Sequence, residues 1–276
     1  TAGAALVKHA DVPTITFTGS TGVGKWIASE AGAMLKRLSL ELGGKNPFII
    51  FDDADIDAAI AMAVRAGFSN QGQICLCGSR LLVHERVAEH VAAGLCEGAK
   101  RLVVGDPMEA STQFGSLVSQ AHMIKVDGIV KSAIALGGRA RLGGGMVAKE
   151  ELPDRCRGGY FYQPTVIDGL DAACAVEQEE IFGPVVTMQT FRNEEDAIKL
   201  ANGTAYGLAA TIYTRDVGRV QRVTRAVQAG IIWVNCWMVR DLRTPFGGMK
   251  QSGVGREGGG EALRFFTEPK NVCVAG

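Results

Sequence analysis

Along most of this chain, apolar runs of strand length alternate with stretches whose apolar residues recur at helical spacing. That rhythm confines the fold to an α/β architecture, a mostly parallel sheet whose strands are joined by helical crossovers. Residues 2–8 read as a short helix, 14–18 as a strand, 23–36 as a helix, and 37–40 as a strand that ends at Glu41. Residues 47–51 form a short apolar strand, after which Asp52, Asp53 and Asp55 cap and charge the first turn of an Ala-rich helix over 56–68. Helices are expected over 86–101 and 120–136, strands over 160–166 and 185–191, and a capped helix over 193–201. Strand 208–213, helix 217–228 and strand 231–235 repeat the unit, with the right-handed connection such units prefer. Residues 143–159 and 244–260 read as loops.

Charge and composition exclude several function classes. The 276 residues carry 29 basic and 29 acidic side chains, so no net field draws the chain to nucleic acid or an anionic membrane. Although 47% of the residues are apolar, no run reaches the roughly 20 needed to span a bilayer. Seven cysteines without scaffold-like spacing, and no secretory signal, point to reduced thiols in a cytoplasmic compartment.

Two short runs carry chemistry. Leu40-Glu41-Leu42-Gly43-Gly44-Lys45 presents a carboxylate beside glycines, and Gly72-Gln73-Ile74-Cys75 presents a thiol just beyond a helix end. Only the thiolate is strongly nucleophilic, and a free thiol titrates near ~8.5, so a neighbouring base that takes a proton or activates water is the natural complement. Taken singly, Glu41 reads equally as an ion-pair partner and Cys75 as a small buried hydrophobe. Cys75-Leu76-Cys77 does not read as a metal site, because His9, His84, His90 and His122 form no complementary pair at ligand spacing.

Gly19-Ser20-Thr21-Gly22-Val23-Gly24-Lys25 matches the opening of a phosphate-cradling loop, but Trp26 stands where that loop needs a Ser or Thr to bind magnesium. A nucleotide triphosphatase is therefore disfavoured. Strand, Gly-Ser turn and helix start still suit a dinucleotide pyrophosphate, or else a tight turn that needs glycine for its angles alone. Glu180 and Phe182, in Glu179-Glu180-Ile181-Phe182-Gly183-Pro184, read as a surface acid pair and a core aromatic, or as an acceptor for hydroxyls and a stacking surface.

Glu-Leu-Gly-Gly-Lys, Gly-Gln-x-Cys, Glu-Glu-Ile-Phe-Gly-Pro and Pro245-Phe246-Gly247-Gly248-Met249-Lys250 occur in one order over nearly the whole chain. In this the chain resembles the aldehyde dehydrogenase superfamily. The resemblance implies NAD as cofactor, contacted by Gly19, Ser20, Val23 and Leu42, with Glu180 on the nicotinamide ribose and Phe182 near the nicotinamide. It implies Cys75 as nucleophile, passing through a thiohemiacetal and a thioester, and Glu41 as general base. The oxyanion would be held by the Cys75 backbone amide and an Asn amide from an upstream segment. Residues 1–43 would finish a Rossmann-type cofactor domain, 44–251 form the catalytic domain, and 252–276 return with a strand over 267–275 that pairs subunits in a homodimer or homotetramer. A chain starting inside a cofactor domain looks like the C-terminal portion of a longer polypeptide, and alone it could be an inactive scaffold.

The segment from Trp233 to Phe246 looks like the subgroup acting on 2-hydroxymuconic or 2-aminomuconic semialdehyde. Such small-molecule aldehydes carry a distal carboxylate, for which a guanidinium is the bidentate partner. Arg240 is the first candidate, Arg243 the second, with Phe246 lining the pocket. Both arginines could instead pair with Asp241.

Overall fold

Pro47–Ile50, Arg80–His84 and Ala209–Tyr213 are buried at every position; the first and last read as apolar runs, whereas Arg80–His84, with an arginine and a histidine at its ends, was not foreseen as a strand. In the computed structural model, which describes residues 1–276, these three are neighbours in a seven-stranded sheet. Its order is Ile231–Val234, Ala209–Tyr213, Pro47–Ile50, Arg80–His84, Val185–Phe191, Thr165–Asp168, Arg139–Leu142. All pairings are parallel except the last.

Alternate side chains of the central strands feed two cores, as the twofold strand period requires. Phe48, Ile50, Leu81 and Val83 pack with helices Ile56–Phe68 and Ala88–Lys100. Ile49, Phe51 and Leu82 pack with Glu194–Asn202 and Val217–Ala226 on the other face. A smaller sheet pairs Thr14–Thr18 with Arg37–Glu41 in parallel and adds Gly253–Val254 antiparallel to the latter. No helix is long and apolar enough to cross a membrane.

Several elements differ from expectation. The helix expected over 23–36 is Thr21–Gly32. Leu35 turns left-handed at φ 53°, and the Lys36 amine folds back to donate to the Val7 and His9 carbonyls, each at 2.6 Å. The strand expected over 160–166 is Thr165–Asp168, since Pro164 has no N–H to give a ladder. Arg139–Leu142 is an edge strand that was not foreseen; its arginines bind Asp168 instead of showing an apolar face. The loop expected over 244–260 is irregular apart from two two-residue strands, Met249–Lys250 and Gly253–Val254, and a helix that was not foreseen, Gly259–Phe266, starts at its end. Residues 267–275, expected as a strand, join no sheet in the single chain. A strand needs a ladder partner, and an intermolecular ladder needs a second copy.

Candidate active site

The helix Ile56–Phe68 ends at an unusual turn. Asn70, Gln71 and Gly72 adopt φ 49°, 56° and 71° in succession, a left-handed run that persists only when its surroundings hold it. A Cβ at Gly72 would lie 2.1 Å from the Gly183 carbonyl oxygen. Glycine is therefore what lets this turn dock on the Phe182-Gly183-Pro184 segment, with Cys75 following in the next, partly buried turn. Burial pushes the Cys75 thiol above its usual range, the negative charges of Glu180 and Glu41 push the same way, and its own backbone N–H and Arg240 oppose them. Cys77 is buried more deeply and held up to about 12, so it stays a neutral thiol at physiological pH.

Glu41 closes the strand Arg37–Glu41, paired between Thr18 and Gly253. Its side chain is 5% exposed and Oε1 has no hydrogen-bond partner. Burial first, then the charge of Glu257, raise its pKa to about 7 against the pull of Arg256 and Arg240. A carboxylate poised there exchanges protons near neutrality. Glu257 and Arg256 arrive on the far loop, where Phe246 and Glu257 exchange backbone hydrogen bonds of 2.8 and 2.7 Å.

Glu180 and Phe182 belong to the segment on which the Gly72 turn docks, and the Glu180 carboxylate lies against Gly43. The Gly44 N–H donates to Glu180 Oε1 at 3.0 Å, and burial raises the pKa of this carboxylate despite that bond and the nearby Lys125 and Lys45. Phe182 is left-handed at φ 57° and 37% exposed, with the His122 ring nitrogen Nε2 donating to its carbonyl at 2.6 Å. Lys45, 1% exposed, has an unpartnered amine lowered to about 8 by burial.

The Gly19 N–H donates to the Glu41 carbonyl at 3.0 Å, so the glycine turn is tied to the backbone of Glu41. Ser20 caps the helix by accepting from the Val23 N–H at 3.4 Å, and Val23 is exposed. Leu42, by contrast, is buried in the core of the small sheet. What it offers a ligand is its carbonyl, which accepts no hydrogen bond from the chain. Residues 21–25 already belong to the helix, and the Gly24 N–H bonds to the Ser20 carbonyl at 3.0 Å. The open amide cradle of a triphosphatase does not form.

The two arginine candidates separate. Arg243 is engaged by Asp241 through contacts of 2.5 to 3.1 Å. Arg240 makes no ion pair; its guanidinium lies 4.4 Å from the Phe246 ring centroid, and its charge reaches both Glu41 and Cys75. Arg240 and Phe246, with Trp233, Val239 and Glu257, line a cavity of about 230 Å³. No group of three or more His, Cys, Asp or Glu side chains converges as metal ligands would. Sequence reasoning missed Glu257, Arg256 and Lys45. Lys45 was inside a motif already singled out; Glu257 and Arg256 sit in a glycine-flanked loop with no local pattern to announce them.

The aldehyde dehydrogenase family model matches residues 1–272. Over 273 residues the chain is 50% identical to the 2-aminomuconic semialdehyde dehydrogenase of Danio rerio, covering 99% of this chain and 56% of that protein. It is 46% identical to the 2-hydroxymuconic semialdehyde dehydrogenase of Pseudomonas sp. (strain CF600), with the same coverage. The chain thus spans little more than half the length of these curated relatives. A crystal structure of betaine aldehyde dehydrogenase from Staphylococcus aureus in complex with NAD+ superposes with a TM-score of 0.91 at 38% identity, covering 95% of this chain and 51% of that one. This chain belongs to the aldehyde dehydrogenase family.

Proposed function

We propose that the full-length protein carrying this chain oxidises a small semialdehyde acid, of the 2-hydroxymuconic or 2-aminomuconic type, to the dicarboxylic acid with NAD. One observation carries the reading: Gly247 lies against the Glu41 carboxylate, the guanidinium of Arg240 stacks on the adjoining Phe246, and the charges of Glu41 and Arg240 both reach the Cys75 thiol. The residues suit a dinucleotide. Glu180 keeps Oε2 free of hydrogen bonds from the chain while Gly44 holds Oε1, Phe182 offers a half-exposed ring in a fixed backbone, and Gly19, Ser20 and Val23 present a capped helix start at the edge of the small sheet.

In this reading Glu41 takes the proton of the Cys75 thiol and passes it to solvent, the thiolate forms an S–C bond to the aldehyde carbon as the carbonyl π bond opens, and the Cys75 backbone N–H stabilises the oxyanion of the thiohemiacetal. When bound, NAD supplies the acceptor for the hydride that leaves this carbon with both electrons. The thioester left on Cys75 is then attacked by water, whose proton passes to Glu41 as the C–S bond breaks and the thiolate departs. Arg240 pairs with the distal carboxylate of the substrate, and Phe246 packs beneath the guanidinium.

All seven cysteines are free thiols, which favours a reducing compartment, and we assign the protein to the cytoplasm. We further propose a homodimer or homotetramer in which residues 267–275 find their strand partner in another subunit. The test of the function is a rate comparison across muconic semialdehydes and neutral aliphatic aldehydes with NAD and NADP, using the full-length protein. A higher kcat/KM for the semialdehyde acids with NAD is expected; no NAD reduction with any aldehyde would overturn the proposal.

A further inference from the structure

The turn that carries Cys75 is gripped on its far side. The Asn46 side chain, 3% exposed, donates through Nδ2 to the Cys75 carbonyl at 2.7 Å and to the Cys77 carbonyl at 2.9 Å. Its Oδ1 accepts from the Ala209 N–H at 3.0 Å. The carbonyl between, that of Leu76, accepts from the buried indole N–H of Trp237 at 3.0 Å. Three successive carbonyls are therefore held by two side chains that come from remote parts of the chain, and the Cys77 N–H closes the turn on the Ile74 carbonyl at 3.0 Å.

A primary amide is suited to this work, because one side chain supplies two donors and an acceptor, and here all are used in a dry site. Asn46 also precedes Pro47, the first residue of the central strand, and a residue before proline has restricted backbone freedom. The clamp is thus anchored at the start of a fully buried strand. Each carbonyl shares a rigid plane with the N–H of the next residue, so the grip on the Leu76 carbonyl fixes the Cys77 N–H, and the bond from that N–H to the Ile74 carbonyl fixes the plane that carries the Cys75 N–H. The backbone N–H groups of Cys75 and Leu76 donate to no other backbone atom, and that of Cys75 lies near enough to its own sulfur to favour the thiolate.

We infer that Asn46, assisted by Trp237, is a positioning residue that holds the Cys75 backbone N–H toward the reacting centre, where it meets the thiolate and then the oxyanion. The inference rests on the reading of Cys75 as nucleophile. Asn46 holds the turn on both sides of the peptide that Trp237 grips, and the turn reaches the Cys75 N–H through the Cys77-to-Ile74 hydrogen bond.

The test uses the full-length protein with Asn46→Ser, which keeps one donor, and Trp237→Phe, which removes one donor and little volume. Two quantities are read: the steady-state constants, and the rate of Cys75 alkylation by iodoacetamide against pH, with the label located by mass spectrometry. Loss of one preorganised oxyanion donor costs about 10²- to 10³-fold in kcat. A misdirected donor is expected to cost at least about 10-fold in kcat in both Asn46→Ser and Trp237→Phe, with the KM for NAD unchanged. The alkylation profile should move to higher pH in both variants, a shift that a loss of stability alone does not produce. Unchanged kcat and an unchanged alkylation profile in folded protein would overturn the inference; if Asn46→Ser does not fold, Trp237→Phe decides on the same criteria. Failure of the functional reading looks different: Cys75→Ala would retain turnover, while the alkylation shifts in the two clamp variants would still be seen.

Discussion

Gly247 lies against the carboxylate of Glu41. A Cβ at position 247 would stand 2.8 Å from Oε1, and 2.9 Å from both the Arg256 Cδ and the Gly255 carbonyl oxygen. The backbone there has φ 153°, a conformation that L side chains rarely adopt. Gly247→Ala must therefore displace the base or the loop that carries Arg256. Strain of about 1–3 kcal/mol is expected as a lower unfolding midpoint. Turnover should fall more than acylation, measured as steady-state rate against the first-turnover burst of reduced cofactor. A variant with native stability and native turnover would show that the close approach does not matter.

The thiol and the carboxylate have separable tasks in the proposed sequence of steps, and their variants should fail differently. Cys75→Ala in the full-length protein is expected to abolish turnover while NAD binding, followed by fluorescence titration, survives. Glu41→Gln is expected to keep the burst, the thiol losing its proton to solvent directly, but to slow steady-state turnover by about 10²-fold or more, the range of a lost general base. Retained dehydrogenase activity in the first variant, or an unaltered steady-state rate in the second, refutes the corresponding role.

What could be read in advance follows from how local each signal is. Glu41 and Cys75 stand in short contiguous motifs, and the buried strands Pro47–Ile50 and Ala209–Tyr213 announce themselves as apolar runs, whereas Arg80–His84 hides three apolar residues between an arginine and a histidine. Glu257 meets Glu41 only because the chain returns through Gly253–Val254 to the small sheet, a long-range event with no periodic trace. Asn46 was invisible for a different reason: amide-to-carbonyl bonds obey no spacing rule. The edge strand Arg139–Leu142 shows charge where a strand signal needs apolar alternation, because its arginines are bound to Asp168. Arg240 and Arg243 are equivalent guanidinium groups in the sequence, and the fold alone decides that Asp241 occupies Arg243.

Arg240→Ala should separate substrates by charge. A charge-assisted hydrogen bond contributes about 1.5–3 kcal/mol, or about 10- to 150-fold. The kcat/KM for a semialdehyde acid is expected to fall by that factor and that for a neutral aliphatic aldehyde to change little. Arg243→Ala, which removes a partner of exposed Asp241, should leave both nearly intact. Equal losses for the two substrate types in Arg240→Ala would remove this residue from the binding pocket.

The pH dependence has a definite sign. The pKa of Glu41 is raised from 4.5 to about 7, chiefly by burial and next by Glu257. A base must be ionised to act, so turnover limited by thioester hydrolysis should rise through pH 7 and then level off. Folding stability runs the other way for this group. An unfolded Glu41 ionises near 4.5 while the folded one keeps its proton to about 7, so its contribution declines across that window as pH rises and is constant above it. Glu257→Gln removes a negative neighbour and should move the rising limb to lower pH, whereas Arg256→Gln removes a positive one and should move it higher. Stopped-flow pH profiles of the three proteins test the electrostatic origin directly, since displacement of both limbs in one direction cannot arise from charges of opposite sign acting on one carboxylate.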